Sequence, residues 1–387
     1  MRKNNYIYNY KLFIRGIIKL DKGKWFILVT GLIIGAIAVV LVKLGNPPNM
    51  GFCIACFERD IAGALGLHRA GVVQYLRPEI IGIVLGTMLT SLFAGEFRSR
   101  GGSSTLVRFL LGMFMMIGAL VFLGCPLRDV LRMAGGDYNA FVGLIGFIGG
   151  VGGGVWFLRR GFFLGRAEES HSKLGGFILP AIFAILLFLL LKGTVFNPDA
   201  GGPLFFSKEG PGSMAAPLLI SLAAGLLVGF LAQRTRLCMS GGIRDFILMR
   251  DNHLLLGFIG IFLGALVLNI ALGFFKTGFS GQPIAHSLHV WNFLGLFLVG
   301  LTATLLGGCP LRQLIMSGEG DTDAAAVVLG MIIGAAVCHN FMLAAAAAKA
   351  AAPGVAAVAG GPGIYGQIAC VAGIVVTAII GWSFREE

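Results

Sequence analysis

Gly124-Cys125-Pro126-Leu127-Arg128 recurs unchanged as Gly308-Cys309-Pro310-Leu311-Arg312. Eight residues past each Arg stands a Gly-Asp pair, Gly136-Asp137 and Gly320-Asp321. Each copy follows one long apolar run and precedes another. Pro suits the first helical position, where its missing N–H had no partner in any case. The Cys before it then falls at the cap, beside free backbone N–H groups and the positive end of the helix dipole. The spacing therefore predicts two short helices, each led by a thiol.

A second motif duplicates as well. Cys53-Ile54-Ala55-Cys56-Phe57-Glu58-Arg59-Asp60 aligns with Cys238-Met239-Ser240-Gly241-Gly242-Ile243-Arg244-Asp245, keeping Cys and Arg-Asp in register. The offset is 185 residues for this motif (238 − 53) and 184 for the pentapeptide (309 − 125). Two independent motifs at one offset indicate a duplicated unit.

Composition says what surrounds these motifs. Of 387 residues, 57% are hydrophobic and 12% charged, and the mean hydropathy is +0.87. This is the composition of a polytopic membrane protein rather than a soluble domain. The 60 glycines favour close helix contacts and broken helices in a bilayer. The net charge of +12 fits attraction to anionic lipid and control of topology, or a pull on an anionic solute. No nucleic-acid or nucleotide-binding motif is present.

Ten spans are expected, at 25–45, 79–97, 104–124, 138–158, 174–194, 213–233, 254–275, 288–308, 324–346 and 363–383;. Four apolar segments between them, 53–67, 126–134, 238–249 and 310–318, are too short to cross and read as re-entrant half-helices;. Residues 1–24, basic and aromatic, read as an interfacial helix. About two thirds of the 30 Lys and Arg residues fall on the side of the N-terminus, which the positive-inside rule makes cytoplasmic;.

The predicted fold is thus all-α and polytopic, with two short half-helices in each of two repeats. The repeats run over 25–158 and 213–346, joined by a linker, 159–212, with a single span. A last span and tail occupy 347–387, and the loop over 198–211 reads as exposed. An odd number of crossings separates the repeats, so they enter the membrane in opposite directions, as in many transport proteins. The span at 174–194 performs this inversion.

Irregular backbone at membrane depth must be buried in protein or line a watery cavity. Four half-helix starts would line a path with N–H groups that favour anions. Cys53, Cys125, Cys238 and Cys309, with Cys56, put soft sulfur at the same place. Gly124, Pro126, Gly308 and Pro310 shape the turns. Arg59, Arg128, Arg244 and Arg312 either raise the positive potential, or snorkel to headgroups or pair with Asp60, Asp129 or Asp245. A metal ion fits poorly, because the six His residues (68, 171, 253, 286, 289 and 339) lie elsewhere and the site is positive;. No cofactor is implied. A small anion with a soft atom fits better, held by neutral thiols donating S–H, with Cys125 and Cys309 protonated. Several weak contacts let an ion move on where one tight site would trap it. Cys338 and Cys370 lie mid-span and read as packing.

These residues resemble the YeeE/YedE family of membrane proteins over most of the chain, from about Cys53 to the ninth span. The resemblance implies an hourglass-like fold in which cysteines at a constriction pass thiosulfate by S–H···S contacts. By motif, Cys53 leads the first short segment, with Cys56 a substitute, Cys125 and Cys309 lead the paired loops, and Cys238 fills a fourth position. The length, the basic N-terminus and the full set of four resemble the selenium-associated branch. The solute implied is a small sulfur or selenium anion, the location the inner (cytoplasmic) membrane, and a small cytosolic sulfur-carrier protein a partner. Rival readings are a membrane thiol–disulfide oxidoreductase built on Cys53 and Cys56, and a non-transporting anchor for a sulfur- or selenium-carrier protein. Against the first, Gly241 replaces the second Cys in the other repeat.

Overall fold

The computed structural model describes residues 21–170, 172–192, 204–349 and 358–385. Within them lie ten long helices. They are α1 (Lys22–Lys43), α3 (Pro78–Phe93), α4 (Thr105–Phe122), α6 (Tyr138–Arg159), α7 (Leu174–Leu191), α8 (Leu218–Thr235), α10 (His253–Ala271), α11 (His289–Leu305), α13 (Thr322–Asn340) and α14 (Ile364–Ser383). Four short ones follow the cysteines: α2 (Ile54–Ala64), α5 (Pro126–Ala134), α9 (Met239–Met249) and α12 (Pro310–Gly318). Two-residue strands, Arg100–Gly101 and Glu168–Glu169, pair antiparallel at one end. The chain is an all-α polytopic membrane protein.

Each expected span has its helix. Nine helical stretches among the described residues are long and apolar enough to cross a membrane; α3, at 16 residues, is the shorter tenth. It stops at Phe93 rather than residue 97 because Gly95 takes a left-handed turn at φ +67°;. α13 stops at Asn340 rather than residue 346. Its C-terminal alanines pair elsewhere: Ala345 N donates to Leu120 O, and Ala346 bridges to Gly361. The interfacial helix expected over 1–24 falls, up to residue 20, outside the described residues, as does 198–203 of the expected loop. Asp21 caps α1 by accepting from Lys24 N at 2.8 Å;.

The long helices pair across the two halves of the chain. α1 packs on α10, α3 on α8, α4 on α13 and α6 on α11. Glycines four residues apart line the seams, as close packing in lipid requires. On α3, a Cβ at Gly82 would sit 2.7 Å from Leu222 O of α8, while Gly225 of α8 faces the backbone of Glu79. Gly31 and Gly35 of α1 meet α10, whose Gly260 and Gly264 face α1 in return.

Contacts sort the loops into two ends. At one, Ser170 N donates to Ser99 O, Arg98 N to Glu319 O and Phe163 N to Phe384 O. At the other, Phe205 N donates to Ala64 O, Lys276 N to Gly135 O and Ala348 N to Ala285 O. The chain before α7 belongs to the first set and the described chain from residue 204 to the second; α7 has Pro180 inside it.

Candidate functional site

The four short helices begin on the four cysteines of the repeats. Cys53, Cys125, Cys238 and Cys309 are the N-cap residues of α2, α5, α9 and α12, with Pro126 and Pro310 in the first turn of α5 and α12. Each Cys has extended backbone while the next residue is helical, so free N–H groups of the first turn gather at the sulfur. Cys53 Sγ accepts from Cys56 N at 3.4 Å and Cys238 Sγ from Gly241 N at 3.2 Å. Cys309 Sγ accepts from Met239 N of the neighbouring short helix at 3.3 Å.

The sulfurs come together within each half. Cys53 is in side-chain contact with both Cys125 and Cys56. Cys238 is in side-chain contact with Cys309 and lies 3.3 Å from Ser240 Oγ. All seven cysteines are free and buried. Cys370 packs in a small separate hydrophobic cluster with Val121 and Leu298, while Cys338 lies in the main core cluster that also holds the five motif cysteines.

Two cavities lie beside the loops that lead to the thiol groups, and neither is lined by a cysteine. One of about 380 Å³, at the end where the loops around Gly45, Met214 and Pro283 gather, is lined by Asn49 and Gly51, just ahead of Cys53, and by Leu131 of α5. The other, of about 430 Å³ and bounded by Phe162 and Phe163 at the opposite end, reaches Leu306 and Gly307, just ahead of Cys309, and Arg244.

The four arginines behave differently from one another. Arg59 pairs with Asp60 at 2.7 Å and Arg244 with Asp245 at 2.8 Å. Arg312 reaches both oxygens of Glu319 at 3.3 and 3.4 Å. Arg128 is fully buried and has no acidic partner among the described residues. Its guanidinium donates to the carbonyls of Leu123, Asn49 (3.3 Å) and Ile284 (3.0 Å), and to Cys56 Sγ at 3.6 Å. Gly124 and Gly308 leave room for these arginines: a Cβ at either would sit 2.9 Å from the Arg128 or Arg312 side chain. Asp129 does not pair with Arg128; among the described residues neither of its oxygens has a hydrogen-bond partner.

Sequence reasoning missed Arg77 and Glu319. Arg77 is buried, takes the second oxygen of Asp60 at 2.7 Å and stacks on Phe57. Glu319 was open to discovery by comparing the copies, because the same position in the first copy is Gly135. The His residues remain outside the thiol groups. The His68 and His339 rings lie 4.5 Å apart, tilted by 34°, and His171 lies outside the described residues. His286, in the loop between α10 and α11, donates Nε2–H to Val121 O at 2.8 Å and accepts at Nδ1 from Leu288 N; burial pushes its pKa down to about 4. No group of three His, Cys, Asp or Glu among the described residues is set to hold a metal ion.

Comparison with known proteins points the same way. Residues 234–387 match the family model described as sulphur transport, a range that holds Cys238 and Cys309. The chain is 34% identical over 113 residues to thiosulfate transporter TsuA of Spirochaeta thermophila, which is 28% of this chain and 34% of that protein. It is 27% identical over 108 residues to thiosulfate transporter TsuA of Escherichia coli, 28% of this chain and 30% of that protein. The chain therefore spans about a third of the length of the curated relatives it matches. Over residues 234–387 the chain is thus similar to the sulphur-transport family of membrane proteins.

Proposed function

We propose that the chain is a transporter, not an enzyme, that passes a small sulfur-containing anion of the thiosulfate type between two groups of cysteine thiols. One observation carries this reading: each half brings together two cysteines that cap two short helices, Cys53 with Cys125 and Cys238 with Cys309. Helix N-termini favour negative charge. Neutral thiols can donate weak S–H hydrogen bonds to a terminal sulfur, and weak contacts suit passage. Arg128, a buried cation without an acid, adds positive potential beside Cys56. The two cavities supply an approach from either end.

The reading includes two inverted repeats with re-entrant short helices. Its support is the reciprocity of the packing. α1 matches α8 by the repeat, and α3 matches α10, so the pairs α1–α10 and α3–α8 are one contact made twice. The pairs α4–α13 and α6–α11 are likewise one contact made twice. Two-fold related units make such reciprocal contacts. The N-terminus is assigned to the cytoplasm and the protein to the inner membrane. The solute is thiosulfate or a related selenium compound, and a small sulfur-carrier protein on the cytosolic side is its acceptor.

The test is growth on limiting thiosulfate in a bacterial strain stripped of its own uptake routes. Rescue by the wild-type chain, lost in Cys125→Ala and Cys309→Ala and kept in Cys56→Ala, is the expected outcome. Loss confined to Cys53→Ala and Cys56→Ala would support thiol–disulfide chemistry instead. Uptake of labelled thiosulfate and selenium compounds into proteoliposomes identifies the solute.

A further inference from the structure

The first pair of short helices holds a carboxyl that the second lacks. The repeat places Asp129 opposite Gln313, with the Cys-Pro-Leu-Arg before each unchanged. Gln313 is neutral and bonded: its Nε2 donates to Gly308 O at 3.1 Å and Leu306 O at 3.4 Å. Asp129 is just as buried, and neither of its oxygens has a hydrogen-bond partner among the described residues. Its carboxyl lies against Gly143 of α6, where a Cβ would come within 3.0 Å of Oδ1 and still closer to the Phe122 ring. Burying an ionised carboxylate without hydrogen bonds is strongly disfavoured, whereas a protonated one resembles the amide of Gln313.

The charges around Asp129 are engaged elsewhere. On its own helix Arg128 holds carbonyls and Cys56, and Arg132 donates to Asp137 Oδ2 at 2.7 Å and Phe122 O at 3.1 Å, leaving Nη2 unpaired. Of the helices packed on α5, α6 has Tyr138 and Arg159 at its two ends and α10 has His253 in its first turn. α9 brings Arg244, which is paired with Asp245.

We propose that Asp129 is a proton-binding site and that the anion crosses together with a proton carried there. This rests on the transport reading above. An anion drawn to Arg128 and Cys56 makes the potential at Asp129, the next residue of α5, more negative and so favours its protonation. By reciprocity, a protonated Asp129 favours the anion. One proton is taken from water on the side where the anion arrives and one is released on the other; no sulfur is oxidised and the thiols keep their protons. A proton moving with the anion cancels one charge of the work against a membrane potential.

The full chain in proteoliposomes, with labelled thiosulfate outside and a pH-sensitive dye inside, tests this. Thiosulfate uptake by the wild type is expected to carry protons inward and to increase on external acidification, by about tenfold per pH unit at the limit of one linked proton. Asp129→Asn, an amide in the place where the second copy has one, is expected to admit thiosulfate down its gradient without moving protons and with a flattened pH profile. Glu58→Gln removes the other carboxyl of this half whose two oxygens lack partners, and is expected to keep proton movement. Wild-type uptake without proton movement would overturn the proposal and leave transport standing; this needs no variant to fold. Proton movement that survives in Asp129→Asn, or disappears only in Glu58→Gln, would overturn the assignment to Asp129. Absence of any thiosulfate or selenium-compound uptake refutes the transport reading, and the proposal with it.

Discussion

Arg128 and Arg312 close the same pentapeptide and meet opposite electrostatic fates. Arg312 is neutralised by Glu319, whereas Arg128 is held by carbonyl oxygens and faces Cys56. A buried ion pair broken on one side leaves an uncompensated charge, so Glu319→Gln is expected to destabilise the protein by about 3 kcal/mol, read as a lower melting temperature in detergent. Arg128 pairs with no acid among the described residues, so its charge is available to a solute. Arg128→Gln is expected to raise the KM for thiosulfate about tenfold, or about 1.4 kcal/mol of binding, with a smaller shift in melting temperature than Glu319→Gln. An unchanged KM would remove Arg128 from the site. The duplication makes these residues legible, because packing alone has no reason to repeat five residues unchanged. Arg77 is not legible from the motif, since it reaches Asp60 from 17 residues further along the chain, whereas Glu319, seven residues past Arg312 on the end of the same short helix, shows only when the two copies are compared.

The elements themselves were readable because apolar runs of about 20 residues have few alternatives in a bilayer. Their ends were less so. Alanine favours helix, yet the run after Asn340 leaves the helix because its backbone bonds to Leu120 O and Gly361 instead. The seams between helices rest on glycine. A Cβ at Gly82 would press on the backbone of α8, whereas at Gly152 of α6 it meets open space. Gly82→Ala is therefore expected to cost about 1–3 kcal/mol by overpacking, and Gly152→Ala to leave the melting temperature unchanged. The loop before α11 supplies a pH-dependent contribution. His286 is buried and neutral, and its folded pKa of about 4 lies below the ordinary 6.5. A depressed histidine pKa means that the unfolded chain binds more protons, so its contribution is full above about pH 6.5 and lost as pH falls towards 4. The melting temperature is expected to fall over that window, and less so in His286→Gln.

The molecule as a whole follows from parity. If α7 crosses, the second half must enter from the opposite side, and every cross-half pair must appear twice with its members exchanged. The pairs α1–α10 with α3–α8, and α4–α13 with α6–α11, have that form. The repeat was legible from two motifs at one offset; which helix meets which was not, because glycine seams are symmetric in what they accept. The loops carry the sharpest consequence. Ser172 lies on the exposed chain before α7 and Ser213 on the exposed chain after the end of the linker. All native cysteines are buried, so the wild-type chain is a silent background for labelling. In intact cells, a thiol reagent that does not cross membranes is expected to label Ser213→Cys, and to label Ser172→Cys only after the membrane is opened. Labelling of both from the same side would mean that α7 does not cross. The halves would then enter the membrane in parallel, and a single path between two mirrored thiol groups would lose its geometric basis.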